Sequence, residues 1–95
     1  MTFQSINPAS GTPVSSYEEM QRNEVSQIVE QAHRAHLDWR HVSFRDRAAP
    51  MKKAGEILRG RAKEYAGLMA EEMGKPFKDG VAEAAKCASC CDYFA

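Results

Sequence analysis

From Val25 onward the apolar residues recur at intervals of three and four: Val25, Ile28, Val29, Ala32, Ala35 and Trp39. That spacing draws one stripe down a helix. Glu24, Gln27, Glu30, Gln31, Arg34 and Asp38 fall on the opposite, water-facing side. The pattern predicts a helix over 23–40, capped at its start by Asn23, whose side chain can accept from an unpaired N–H of the first turn.

A second stripe runs through Ala48, Met51, Gly55, Leu58 and Ala62, then on through Tyr65, Leu68 or Met69, and Met73. Ser43 and Asp46 are both available as its cap, and Pro50 bears on the choice. Proline has no N–H, so it sits easily only near a helix start, where N–H groups lack partners anyway. A cap at Asp46 gives a helix over 46–60 with Pro50 near the tolerated limit, whereas a cap at Ser43 predicts a kink. Gly60 is expensive in a helix interior, by about 1 kcal/mol, and places a junction near 59–62. The next helix then spans 62–73 and stops where Gly74 can adopt a left-handed conformation, with Pro76 two residues on.

The last helix is expected after Asp79-Gly80, over 80–95, with Val81, Ala84, Ala88 and Cys91 on one side and Ala85, Cys87 and Phe94 beside them. It reaches Tyr93-Phe94-Ala95 with its periodicity unbroken and no stop residue, as a helix cut short would. Before all of these lie twenty residues rich in Ser, Thr, Pro and Gly. There Asn7-Pro8-Ala9-Ser10-Gly11 separates two short runs, Phe3 to Ile6 and Thr12 to Tyr17, and predicts a β-hairpin over 1–20. An isolated hairpin is marginal in water, so this one must lie against another element, and the helices are the candidate. Trp39, Met51, Leu58, Tyr65, Met69 and Met73 are the expected core.

Composition narrows the function classes. Ninety-five residues allow one small domain or part of a larger one. Thirteen Lys and Arg balance thirteen Asp and Glu, with no run of like charge, so neither nucleic acid nor a membrane surface is an expected partner. No window approaches the roughly 18 apolar residues that span a bilayer, and Met1 to Asn7 lacks the pattern of a secretory leader. Three cysteines crowded into the last ten residues form no disulfide framework. A cytoplasmic protein is expected.

Little in the chain offers chemistry of its own. Cys87, Cys90 and Cys91 invite thoughts of zinc, yet a closed site needs a fourth ligand, and adjacent Cys90 and Cys91 point about 100° apart on a helix. They read instead as small apolar residues. A nucleophilic Cys87 would need a base or a cation facing it, and Lys86, its sequence neighbour, faces elsewhere on a helix. His33, His36 and His41 have no carboxylate or thiol at ligand spacing. The glycines Gly11, Gly55, Gly60, Gly67, Gly74 and Gly80 are scattered and form no phosphate-binding loop. No catalytic, cofactor-binding or metal-binding residue is therefore expected in this chain.

Several short motifs, in order, carry a resemblance. Ile6-Asn7-Pro8-Ala9-Ser10-Gly11 is similar to the opening of aldehyde dehydrogenases, with Ser10 where threonine is commoner. Ala32 to Trp39 resembles that family's first helix, and Ser43-Phe44-Arg45-Asp46-Arg47-Ala48 the start of its second. Glu72-Met73-Gly74-Lys75-Pro76 is the strongest match. Ala82-Glu83-Ala84-Ala85-Lys86-Cys87 and then Tyr93-Phe94-Ala95 complete the series. Within the family the opening and the Glu-Met-Gly-Lys-Pro form are most like NAD(P)-dependent succinate-semialdehyde dehydrogenases of bacterial type. Pro50, where a helix former is usual, and Cys90-Cys91, where aromatic or aliphatic residues are usual, depart from the pattern.

The resemblance implies an α/β parent fold, of which this segment is mostly α-helical with an N-terminal β-hairpin. It further implies that residues 1–95 are the N-terminal part of an NAD(P)-binding domain and stop before the cofactor and catalytic motifs. In the family a cysteine thiolate attacks the aldehyde, hydride passes to NAD(P)⁺, and a glutamate-activated water releases the acid. That cysteine lies far downstream, so Cys87, Cys90 and Cys91 are not it. NAD or NADP is expected of the full-length protein and no cofactor of the segment alone. A small aldehyde is the expected substrate and a homodimer or homotetramer the expected assembly. Val81 and Glu83 would lie near the substrate tunnel.

Two other classes stay open at this point. One is an independent helical module that binds a partner through Met51, Leu58, Tyr65 and Met69. The other is a thiol-based metal binder.

Overall fold

The computed structural model describes residues 1–95, which form β1 (Thr2–Ile6), β2 (Pro13–Glu18), α1 (Arg22–Trp39), α2 (Phe44–Gly60), α3 (Ala62–Met73) and α4 (Phe77–Phe94). The strands pair antiparallel, Thr2 opposite Glu18 and Phe3 opposite Tyr17, with an irregularity between Ser5 and Ile6. The loop between them is built by its own polar groups. The Asn7 side chain accepts from the Ala9 N–H at 2.9 Å, an Asx turn, and Gly11 takes φ 73°. β1 lies against α3, and Pro8 packs beside Gly74 at the end of that helix. The hairpin thus touches α3, while Phe3, Ile6 and Tyr17 stay about half exposed.

Three helices start earlier than the sequence reading, while α3 starts at Ala62 as expected. Gln21, not Asn23, is the N-cap of α1, because Glu24 reaches back to accept from the Gln21 N–H at 2.7 Å. That contact satisfies an otherwise unpaired donor and brings a negative charge to the positive end of the helix. α2 begins at Phe44 rather than 46, with Ser43 as its cap accepting from the Asp46 N–H at 3.1 Å. Pro50 therefore lies inside α2. It removes one hydrogen bond, the one to the Asp46 carbonyl, and the helix continues to Gly60. Asp46 and Pro50 are both exposed, so water can reach the freed carbonyl.

Arg61 joins α2 to α3 at φ −111° and ψ 18°. α3 ends at Gly74 with φ 71°, the Gly74 N–H donating to the Ala70 carbonyl and that of Lys75 to the Met69 carbonyl. The left-handed turn closes the helix and returns the chain into α4. α4 begins at Phe77, three residues before the expected 80. Asp79-Gly80 resembles a turn in sequence, yet Gly80 is a helical residue whose missing side chain serves packing.

α4 is the hub, packed on α2 and on α3. The buried residues are Gly55, Ala66, Gly80, Ala84 and Ala88, a seam of the smallest side chains. A Cβ on Gly80 would stand 2.9 Å from the Ala66 Cα, and one on Gly55 3.2 Å from the Ala88 carbonyl oxygen. Both crossings are therefore close backbone approaches. The expected core of large residues is not the observed one. Trp39 is 48% exposed, Met51 42% and Met73 64%, while Leu58, Tyr65 and Met69 are half-buried. The α1 stripe is open as well, with Val25, Ile28 and Val29 between 45 and 63% exposed and no buried residue on that helix. The extents are 48 × 37 × 14 Å, and the thin dimension is little more than one helix diameter. No helix is long and apolar enough to cross a membrane.

Candidate functional site

Two places gather polar groups against packed helices. The first is the turn from α3 into α4. Gly74 redirects the chain, and Lys75 and Pro76 deliver it to the first turn of α4. In the second turn of α4 the half-buried Glu83 carboxylate takes Lys86 Nζ at 2.8 Å and Lys75 Nζ at 4.0 Å. The Lys86 hydrogen bond, then its charge, holds Glu83 below the usual carboxylate range, with a smaller contribution from Lys75. Glu83 in turn raises Lys86. Lys75 is thereby tied from the turn to the helix that follows it.

The second is a pocket of about 250 Å³ between the end of α1, the first turns of α2 and the end of α4. Trp39, Phe44, Ala48, Met51, Phe94 and Ala95 line it, and Arg47 is the one charged side chain among the lining residues. The Arg47 guanidinium stacks on the Phe44 ring at 4.7 Å from its centre. Its Nε is buried with no hydrogen-bond partner. Sequence reading missed this place because it needs residues from three helices, and only the Phe44/Arg47 spacing along one of them is visible beforehand. The Arg59–Asp92 ion pair between α2 and α4 was missed for the same reason.

The residues weighed for chemistry are not brought together. Cys87 and Cys90 are exposed and Cys91 half-buried, the last with its Cβ turned toward Gly55. His33 and His36 lie 6.5 Å apart, centre to centre, on exposed helix surface. His41 accepts from the Arg40 Nε–H at 3.3 Å. No three His, Cys, Asp or Glu side chains converge as a metal site would require. The chain's two left-handed glycines, Gly11 and Gly74, serve a hairpin loop and a helix end, and no strand leads through a glycine turn into a helix N-terminus. Val81 and Glu83 sit half-buried on the first half of α4.

Comparison with known proteins covers the whole chain. Residues 1–95 match the aldehyde dehydrogenase family. A probable succinate-semialdehyde dehydrogenase [NADP(+)] of Synechocystis is 36% identical over 95 residues, all of this chain and 21% of that protein. A succinate semialdehyde dehydrogenase [NAD(P)+] of Escherichia coli is 35% identical over 91 residues, 96% of this chain and 20% of that protein. Among solved structures, the succinic semialdehyde dehydrogenase of Streptococcus pyogenes in complex with NADP+ superposes with a TM-score of 0.89 at 28% identity. That match covers 96% of this chain and 20% of the other. The chain thus spans about a fifth of the length of the relatives that it matches.

Proposed function

Because the chain belongs to the aldehyde dehydrogenase family along residues 1–95, we propose that it is the opening segment of the cofactor-binding domain of an NAD(P)⁺-dependent aldehyde dehydrogenase. The parent enzyme oxidises an aldehyde of the succinate semialdehyde class to its acid and assembles as a homodimer or homotetramer. The observation that carries this proposal is the end-to-end similarity to succinate-semialdehyde dehydrogenases, in sequence and in the path of the backbone together.

The surface supports the same assignment independently. A compact chain of 10.6 kDa exposes roughly 5,500 Å², whereas this one exposes 7602 Å². Its radius of gyration is 17.4 Å, against about 12 Å for a compact domain of this length. A sheet of helices one layer thick, with large apolar side chains turned outward, is the form expected of one layer in a larger packed fold. On this proposal residues 1–95 contribute that layer and no reacting group. The thiolate, the glutamate and the oxyanion donors belong to the rest of the enzyme, and the 95 residues alone neither bind NAD(P)⁺ nor turn over an aldehyde.

The test is the intact mass of the native protein together with its NAD(P)⁺-dependent oxidation of succinate semialdehyde. A mass several-fold above 10.6 kDa with turnover is expected, while residues 1–95 expressed alone reduce no NAD(P)⁺. A native species of 10.6 kDa that unfolds in one sharp transition and lacks activity would overturn the assignment in favour of a self-standing helical module.

A further inference from the structure

The three cysteines lie on two different sides of α4. The Cys91 Cβ is 3.4 Å from where a Cβ on Gly55 would stand, so this residue is turned toward α2 and is half-buried there. Cys87 and Cys90 are exposed. Positions three apart on a helix are neighbours on one face, whereas adjacent Cys90 and Cys91 point about 100° apart. Nearby cations sort the sulfurs in the same way. Lys86 is raised first by its hydrogen bond to Glu83, next by the Glu83 charge, and after these by Cys87 and Cys90 together. Arg59, on α2, is raised chiefly by its hydrogen bond to Asp92 and last by Cys91. Glu83 and Lys86, one turn before the two exposed thiols, form an ion pair on their face of the helix. Charged side chains are seldom covered when layers pack, unlike an apolar stripe such as Val25, Ile28 and Val29 on α1. The side of α4 that carries Cys87 and Cys90 is therefore the side suited to water.

Spacing decides what two such thiols can do. Side chains three apart on a helix hold their Cβ atoms about 5–6 Å apart, but a disulfide needs about 3.5–4.5 Å between Cβ atoms and about 2 Å between sulfurs. A direct disulfide would thus unwind part of α4. A single soft atom bonded to both sulfurs, at about 2.3 Å from each as in zinc thiolates, bridges sulfurs roughly 4 Å apart and leaves the helix intact. Zinc itself takes four ligands, and no third His, Cys, Asp or Glu side chain joins these two. An arsenic(III) centre that carries one organic group takes two.

We propose that Cys87 and Cys90 form a chelating dithiol on the water-facing side of α4 that captures mono-organic trivalent arsenicals, with Cys91 taking no part. With phenylarsine oxide two As–S bonds form, the As–O bond breaks, and the oxygen leaves as water with the two thiol protons. Arsenic stays trivalent and no electron is transferred, so neither oxidant nor reductant is needed. The proposal does not depend on the dehydrogenase assignment, and either can fail alone.

In the test the native, folded protein is treated with phenylarsine oxide, quenched with excess glutathione and digested with trypsin. Trypsin cuts after Lys86, and no Lys or Arg separates the three cysteines, so they leave on one peptide whose mass reports the adduct apart from any other thiol in the protein. The adduct is expected to survive glutathione and to be removed by ethanedithiol, as two-point attachment requires. Because the second As–S bond closes within the molecule, loss of either sulfur should weaken capture by about 100-fold. Cys87→Ala and Cys90→Ala should each lose the glutathione-resistant adduct, and Cys91→Ala should keep it. Circular dichroism of each variant shows whether helix content is kept, and Cys87→Ser or Cys90→Ser serves where an alanine variant does not fold. A resistant adduct that needs Cys91, one that forms only in urea-unfolded protein, or none at all would each overturn the proposal.

Discussion

Two glycine-to-alanine changes in neighbouring helices should move stability in opposite directions. In a helix interior the substitution by itself gains about 1 kcal/mol, because alanine restricts the unfolded chain and glycine does not. At Gly67 a new Cβ meets nothing within 4 Å, so that gain should be realised nearly in full. At Gly80 the same methyl would lie 2.9 Å from the Ala66 Cα and 3.0 Å from its Cβ. Carbon atoms rest near 3.5–4.0 Å, so α3 and α4 must separate by roughly 0.6 Å or more. A backbone atom cannot step aside as a side chain can. Overpacking of this kind costs about 1–3 kcal/mol, and it also loosens Ala66 and Ala84, which are at most 1% exposed. The net expectation is a loss of about 0–2 kcal/mol for Gly80→Ala once the propensity gain is counted, leaving the two variants about 1–3 kcal/mol apart. Urea unfolding followed by far-ultraviolet circular dichroism measures it, provided that the slopes agree so that midpoints can be compared. A Gly80→Ala protein as stable as Gly67→Ala would refute the close crossing of α3 on α4.

Four further outcomes can be checked in the same assay. Ser43→Ala removes the acceptor of the Asp46 N–H and should cost about 1 kcal/mol. Pro50→Ala restores the missing hydrogen bond at an exposed position inside α2 and should stabilise by about 1–3 kcal/mol; a loss would mean that the proline is needed where it stands. Gly74→Ala forces alanine to φ 71° and brings its Cβ to 3.0 Å from the Pro8 Cγ, with an expected loss of about 1–2 kcal/mol. Glu83 is held below its ordinary value of 4.5 by Lys86 first and Lys75 last. Its contribution is therefore complete above the unfolded value and disappears as pH falls through the lower folded one. The difference in unfolding midpoint between the native chain and Glu83→Gln should be constant from neutrality to about pH 5 and narrow as the pH falls further, through the ordinary value and then the lower folded one.

The helices and the hairpin were legible because they rest on local patterns, whereas the α/β parent fold came only from the family resemblance. Spacings of three and four announce helices, and the Asn7 to Gly11 turn announces a hairpin. Element starts were less legible, because caps compete on small margins. Asn23 is the better cap by type, yet Gln21 prevails through Glu24. Pro50 argued for a late start of α2, yet the Ser43 hydroxyl prevails, and an exposed proline is tolerated. Gly80 was least legible of all. In sequence Asp79-Gly80 marks a turn as readily as it marks a close helix crossing, and the deciding atom is the Cα of Ala66, fourteen positions away. The Arg47 pocket was hidden in the same way, since α2 alone shows the arginine above Phe44 but not that the ends of α1 and α4 border it.

The choice of large residues as the core failed for a reason that bears on the whole molecule. Periodicity shows which face of a helix is apolar, not what covers it. Here α4 contacts α2 and α3 through glycine and alanine, a seam that brings backbones close but buries little area per residue. Burial of Ala side chains contributes far less than burial of Leu, Phe or Met. The larger side chains, Ile28, Trp39, Leu68 and Met73 among them, remain 48–64% exposed. The apolar surface that would contribute most to stability is therefore the surface this chain leaves uncovered, while its own contacts fix the spacing of the helices. Such a division of labour suits a layer whose geometry is set from within and whose stability comes from what it is packed against. That is the physical sense in which a chain matching a fifth of the Streptococcus pyogenes enzyme can follow that part of its backbone closely without a large core of its own.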